Sequence, residues 1–402
     1  MHLQTAPRLL KTPALGSIYL NVQPHALTIS DNLRATYTFD REGRLLSCFV
    51  GGENYRCGLC GDVLLKVTLP SGKQRRLLCP DEQTGLSESV RSAVARISAG
   101  LADQLPAELR AWLAVILAWD AERWARERQT FQTIYKPVSI VPPDQYRAVV
   151  LQATEGCSWN RCSFCTFYRD RRFHIKAPDE LRTHIQQIKA FLGAGLALRT
   201  SIFLGDANAL IVPQPRLREL LQVIHDELPS ATTGELRPIY AFLDIFGGEQ
   251  KTIEQYAELR AAGVRRVYLG LESGDEAVFR LLNKPGSPAA CLDVVRRLKA
   301  GGISVGIILL AGPGGATLAP QHVAQSLAIL QAMELAPDDL VYISPLIVPP
   351  DGAYAQQARE LGLAPLGLDE IAAQLATLKA GALEATEHRP KVALYHIEEW
   401  IY

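Results

Sequence analysis

From Tyr146 onward the chain repeats one rhythm, an apolar strand, a loop and an amphipathic helix, and that rhythm leaves few folds open. Strands are expected over 148–153, 200–204, 239–244, 267–271, 303–310 and 340–343. Helices are expected over 178–192, 215–228, 250–262, 276–282 with 289–300, 320–333 and 352–361. Such alternation demands a parallel sheet, because a parallel pair needs a crossover long enough to hold a helix. No dinucleotide-type glycine fingerprint opens a helix, so a partial (β/α)6 TIM-like barrel fits this α/β chain better than a doubly wound sheet. In a fold of that kind, reactive side chains collect where strands end.

The residues ahead of this region follow another period. Strands are expected over 17–22, 35–39, 45–50 and 63–69, with turns at 40–43, 51–54 and 70–72. A helix is expected to open with Ser87 as its N-cap, and a second to run from about 106 to 135. Trp112, Val115, Ile116, Trp119 and Trp124 recur at helical spacing there and read as core. Pro137, Pro142 and Pro143 mark a boundary. The division expected is an N-terminal α+β domain (1–140), the barrel (146–365) and a C-terminal extension (366–402) that docks on the barrel.

Composition narrows the partners. Lys plus Arg and Asp plus Glu are 42 each, so the net charge is zero. A generic polyanion binder carries a basic excess, so a small-molecule substrate is expected and nucleic acid is not. The densest apolar stretches, 111–119 and 303–313, fall short of the roughly 18 residues of a membrane span. The first residues lack the pattern of a secretory leader, and a cytoplasmic location is expected. In that compartment eight cysteines point to metal binding or catalysis before disulfides.

Three of those cysteines stand in one short loop, Cys157-Ser-Trp-Asn-Arg-Cys162-Ser-Phe-Cys165, just past the first barrel strand. A loop this tight can direct three sulfurs at one compact centre. Zinc wants a fourth protein ligand, and the nearest histidine, His174, is nine residues on. Iron–sulfur clusters are held by short runs of thiolates. Three cysteines without a close fourth fit a cubane with one open iron. The competing reading is a zinc or iron–sulfur sensor or scaffold.

The triad resembles the cluster loop of the radical S-adenosylmethionine (SAM) superfamily. The commonest motif there has three residues between the first two cysteines; here there are four, Ser158 to Arg161, a variant found in one branch. Phe164, the aromatic before the last cysteine, also matches. Phe203-Leu-Gly205-Asp206-Ala-Asn208 stands where the family carries a Gly-Gly-Glu-like turn, with Asp206 in place of the acid. Leu269-Gly-Leu-Glu272-Ser273-Gly274 and the later Lys284 resemble a motif of the same branch, and Val305-Gly306-Ile307 resembles the fifth-strand segment near adenosine. The resemblance implies a [4Fe–4S] cluster on Cys157, Cys162 and Cys165, with SAM held near Phe164, Gly205, Asp206, Glu272, Ser273 and Gly306. It implies reductive cleavage of SAM to a 5′-deoxyadenosyl radical that abstracts hydrogen or adds to a substrate. It also implies a one-electron donor of flavodoxin or ferredoxin type and sensitivity to oxygen.

Other residues carry weaker signals. Asp244 interrupts an apolar run and reads either as a cap or as a cofactor contact. Cys57-Gly-Leu-Cys60, with Cys48 and Cys79 nearby, is a possible second metal or redox site, although Cys48 reads as a buried strand residue. The segment Arg169-Asp-Arg-Arg172-Phe-His174-Ile-Lys176 reads as a solvated connection or a cationic lid. Tyr168 packs on adenine or on the barrel. Gly312 to Gly315 reads as a tight turn, Cys291 as structural, and His322 and His388 as surface residues.

Overall fold

The computed structural model describes residues 7–69, 72–229, 237–244 and 250–402, and the chain forms two compact units. The expected turn at 70–72 lies largely outside the described residues, as do the two residues after Asp244.

The first unit comprises Met1–Ile140, Gln186–Thr200 and Glu398–Tyr402. Its strands are Pro7–Thr12 (β1), Gly16–Val22 (β2), Ala26–Asp31 (β3), Ala35–Asp40 (β4), Leu45–Val50 (β5), Glu53–Cys57 (β6), Val63–Leu69 (β7) and Gly72–Leu77 (β8). They form one antiparallel meander in sequence order. Alternation puts Ile18, Leu20, Leu27, Ile29, Tyr37 and Phe39 on one buried face. Helices α1 (Pro80–Gly100), α2 (Ala107–Leu117) and α3 (Ala121–Ile134) follow, and Val94, Ile97, Trp112 and Ile116 close the core over that face.

Two expectations fail here for local reasons. Ser87 is not an N-cap: α1 starts at Pro80, where the Glu82 carboxylate accepts the Cys79 N–H at 2.9 Å. The helix expected over 106–135 is two helices, because Asp120 caps α3 by accepting the Arg123 N–H at 2.8 Å. Trp112 and Trp119 are core as expected, each donating its indole N–H to a backbone carbonyl, of Asp40 and Glu42, at 2.8 Å. Val115 instead is exposed.

The second unit comprises Val141–Ile185 and Ser201–Ile397. It holds Ala148–Gln152 (β9), a short ribbon of Thr154–Glu155 (β10) and His174–Ile175 (β11), then Pro178–Leu192 (α4), whose last residues belong to the first unit. Ser201–Gly205 (β12), Gln214–Glu227 (α5), Ile239–Phe242 (β13), Ile253–Ala261 (α6) and Val264–Glu272 (β14) come next. Glu276–Leu281 (α7), Pro288–Ala300 (α8), Ser304–Ala311 (β15), Gly315–Ala332 (α9) and Leu340–Pro345 (β16) follow. The unit ends with Ala353–Glu360 (α10), Leu368–Ala385 (α11) and Lys391–Leu394 (β17).

The sheet order is β17-β16-β15-β14-β13-β12-β9, parallel throughout. The order never reverses. With right-handed crossovers, helices therefore fall on one face and the sheet curls away from them, the opposite of a doubly wound arrangement. The concave face carries Phe203, Phe242 and Tyr268, with ring centroids 5.1–6.2 Å apart. Asp144 accepts hydrogen bonds from Tyr268, Tyr342 and Arg266, groups on β14 and β16.

The expected α/β class is the class observed, and the N-terminal domain expected as α+β is an antiparallel sheet followed by helices. The six expected strands are present, and β17 adds a seventh. Of the extension expected over 366–402, residues up to Ile397 belong to this unit and contribute α11, which packs on β15, β16 and β17, and that edge strand, while Glu398–Tyr402 belong to the first unit. Among the described residues no helix is long and apolar enough to cross a membrane.

Candidate cofactor site

The three cysteines lie in the loop that follows β9 and β10. Its base is pinched shut by the β10–β11 pairing, Thr154 with Ile175 and Glu155 with His174. Gly156 opens the loop at φ 76°, and a side chain there would press on the Arg172 carbonyl. Asp206, at the end of β12, anchors this base. Its carboxylate accepts the Gly156 N–H and the Gln152 side-chain amide, both at 2.8 Å, and its own N–H donates to Thr154 O at 3.0 Å. Arg171 Nη1 stands 3.8 Å away. Burial raises the Asp206 pKa, and Gln152, Gly156 and Arg171 oppose the rise.

Inside the loop, Asn160 donates its side-chain amide to Tyr168 O at 2.7 Å and its N–H to Cys157 Sγ at 3.3 Å. Arg169 donates to the carbonyls of Cys162 and Cys165, at 3.0 and 3.3 Å. Lys176 pairs with Glu155, and His174 with Glu180. The cationic segment thus finds partners within the loop and its base, which leaves the lid reading without most of its cations. Tyr168 is buried, with Arg171 5.4 Å above its ring.

The outer edge of the loop is bolted to α7 and the turn after it. Trp159 Nε1 donates to Asn283 O at 3.0 Å, and Asn283 Nδ2 donates to Arg161 O at 2.7 Å. Ser163 donates its hydroxyl to Leu281 O and its N–H to Leu282 O. Phe164 packs against a cluster of Val278, Leu281, Leu282 and Tyr354.

The next residue after Asn283 is Lys284. Its ammonium is 3.1 Å from Glu272 Oε1 and 3.2 Å from Asp244 Oδ1. Burial alone would lower the Lys284 pKa; the two carboxylates outweigh it and hold the group above its ordinary value. Burial raises both carboxyls, and Lys284 opposes the rise. The register slips between Gly270 and Glu272, and Glu272 takes φ 60°, which re-aims its side chain. A methyl group on Gly270 would overlap both the Glu272 carboxylate and Lys284 Nζ. Nearby, fully buried Asn208 accepts the Asp244 N–H at 3.2 Å through Oδ1, while its Nδ2 has no partner among the described residues.

Burial pushes the Cys162 thiol up to about 12 and Cys165 to about 11, and raises Cys157 against two opposing N–H···S bonds. All three are thiols at neutral pH until a metal displaces their protons. Among the described residues no three His, Cys, Asp or Glu side chains are gathered into a ready metal site. The donor chemistry nevertheless fits an iron–sulfur cluster: three half-buried soft ligands in one loop, with Lys284 close enough to favour the thiolates of Cys157 and Cys162. The buried donor of Asn208 fits a bound polar group.

Three expected site residues have other engagements. Gly306 lies beneath the Tyr268 ring, which a side chain there would strike. Ser273 is fully buried and its hydroxyl bonds His322. Gly205 offers its carbonyl to Thr154 Oγ1 at 3.2 Å. His322, read as a surface residue, is wholly buried, because both its ring nitrogens find partners inside the fold. Asn283 and Asn208 were not singled out, since their partners are distant in sequence. Outside this unit, Cys57 and Cys60 are half-buried, Cys48 buried and Cys79 exposed.

The radical SAM superfamily model matches residues 151–319. No curated protein matches the chain. Solved structures that it resembles include HydG, a maturase of the [FeFe]-hydrogenase, at 14% identity and TM-score 0.41, covering 70% of this chain and 59% of that one. Coproporphyrinogen III oxidase (HemN) from Escherichia coli, described as a radical SAM enzyme, matches at 13% identity and TM-score 0.45, covering 67% and 57%. Methylornithine synthase (PylB) matches at 16% identity and TM-score 0.39, covering 65% and 80%. The chain thus spans less than two thirds of the first two structures.

Proposed function

We propose, from the premise that the chain belongs to the radical SAM superfamily through residues 151–319, that it is a radical SAM enzyme acting on a small molecule. The cofactors of that superfamily are a [4Fe–4S] cluster and SAM. The observation that carries the reading is the placement of a three-cysteine loop beside the Asp244–Lys284–Glu272 group at the strand ends.

Cys157, Cys162 and Cys165 would hold the cluster. When bound and reduced, it supplies the electron that cleaves SAM to methionine and a 5′-deoxyadenosyl radical, which takes hydrogen from a substrate or adds to it. Asp206 keeps the loop base closed through Gly156. Trp159 and Asn283 tie the four-residue spacer to the turn after α7. Glu272 and Asp244 present two carboxylates against one ammonium, and the surplus negative charge suits the cationic sulfonium and amino groups of SAM. Phe164 backs the loop from its apolar side. The electron would come from a flavodoxin- or ferredoxin-like carrier.

The test is anaerobic. The protein is reconstituted with iron and sulfide, reduced with dithionite and assayed for 5′-deoxyadenosine from SAM, with Cys162→Ala as control. Nucleoside from the wild type alone supports the reading. A protein that takes up one zinc and no iron sinks it, and leaves a metal-binding scaffold.

A further inference from the structure

Glu272 carries a backbone conformation that side chains other than glycine rarely adopt, at φ 60°. Such a conformation is unfavourable in itself and persists only where the surroundings over-determine it. The surroundings here are one face of α9. Gly274 packs directly on the α9 backbone, so a side chain would overlap Gln325 O and Ser326 Cα. Ser326 Oγ accepts the Gly274 N–H at 2.9 Å. One turn earlier on the same face, His322 Nδ1 meets Ser273 Oγ at 2.8 Å, and His322 Nε2 meets Leu310 O at 2.9 Å.

These bonds fix the tautomer. A carbonyl only accepts, so Nε2 carries the hydrogen and donates to Leu310 O. Nδ1 is then the acceptor and Ser273 donates its hydroxyl hydrogen to it. The Ser273 oxygen in turn accepts the Asp275 N–H at 3.1 Å. The Asp275 carboxylate accepts the N–H groups of Ala277 and Val278, both at 2.9 Å, and so caps α7. At its other end α7 leads into Asn283 and Lys284. One line of hydrogen bonds therefore runs from α9 through the 272–275 turn into the helix that delivers Lys284.

We infer that His322, seconded by Ser326, is the positioning residue that sets Glu272 against Lys284 and so shapes the site for SAM. Neither side chain is exposed at all, and neither touches the carboxylate. They act by holding the turn on β15 and α9. Burial lowers the His322 pKa, in keeping with the neutral ring that this bonding requires. The inference rests on the radical SAM reading for the identity of the ligand.

The experiment compares reconstituted wild type with His322→Ala, His322→Gln and Ser326→Ala. Three quantities are read: iron per chain, the equilibrium Kd for SAM, and the change in the electron paramagnetic resonance signal of the reduced cluster when SAM is added. Thermal unfolding is followed in parallel. His322→Ala is expected to keep the cluster, weaken SAM binding by about tenfold or more, and blunt the spectral change. His322→Gln, which keeps a donor and an acceptor near the ring positions, should recover most of the affinity. Variants that lose thermal stability but bind SAM as the wild type does would assign these residues to folding alone and overturn the inference. A wild type that holds the cluster and binds no SAM would overturn the functional reading and the inference together.

Discussion

Lys284 and Glu272 meet at 3.1 Å, and the same ammonium lies 3.2 Å from Asp244, so a buried carboxylate and a half-buried one share a single buried cation. The pairing is lopsided by one negative charge. Removing either carboxylate leaves a balanced pair, whereas removing both strands a buried ammonium.

The first prediction is a non-additive cycle in the cofactor-free protein. Asp244→Asn is expected to stabilise by about 1 kcal/mol at pH 8, and Asp244→Asn with Glu272→Gln together to destabilise by about 3 kcal/mol. Burial raises both carboxyls, so the native state favours their protonated forms. Wild-type stability therefore gains as pH falls from above the raised value toward the ordinary carboxylate range near about 4. The advantage of Asp244→Asn shrinks over that window. Urea unfolding at several pH values reads this, and additive single and double changes would refute it.

Cluster retention depends on the clamp outside the cysteines. Asn283→Ala removes the amide that holds Arg161 O, and Trp159→Phe removes the donor to Asn283 O. Both leave all three thiols in place. Iron release to a chelator is expected to speed up by about tenfold in either variant, the scale on which supporting residues act at metal sites. Release at the wild-type rate would show that the loop holds itself.

Gly306 and Gly270 fail for different reasons when enlarged. Gly306→Ala forces the buried Tyr268 ring off the Asp144 carboxylate and should cost about 1–3 kcal/mol of stability. Gly270→Ala intrudes between Glu272 and Lys284 and should weaken SAM binding before it lowers the melting temperature. Equal losses of stability and affinity in both variants would contradict this separation.

The cysteine loop was legible because its donor chemistry is local: three thiols in nine residues announce a centre whatever the fold around them. Helix α4 was legible to the residue, since Pro178, Asp179 and Glu180 open an apolar stripe of helical period. What held the loop was not legible. Asp206, Asn283 and His322 act on partners 50, 122 and 49 positions away, and no short-range pattern records such pairs. Strand β17 is four residues long, and its conformation comes from pairing with β16. Helix α11 is alanine-rich, so its buried stripe of Gln374, Leu378 and Ala382 contrasts weakly with the rest. Strand β8, Gly-Lys-Gln-Arg-Arg-Leu, lacks the β-branched residues that mark a strand and is held by β7.

Acid should weaken the first unit at Glu399. Its carboxylate accepts from Lys66 Nζ at 2.9 Å and from Arg75 Nε at 2.7 Å. Burial alone would raise its pKa, but Lys66 and Arg75 outweigh that and hold it below the ordinary value. A depressed native pKa means the unfolded chain takes up this proton first as pH falls. The stabilisation is complete above about 4.3 and is lost as pH drops through the native value. The side chain is 30% exposed, so solvent screening keeps the effect near about 1 kcal/mol. Glu399→Gln should therefore be less stable than wild type by about that amount at pH 7 in low salt, with the gap closing below about pH 4. A gap that stays constant from pH 7 to pH 3 would mean that Glu399 contributes packing and hydrogen bonds without charge.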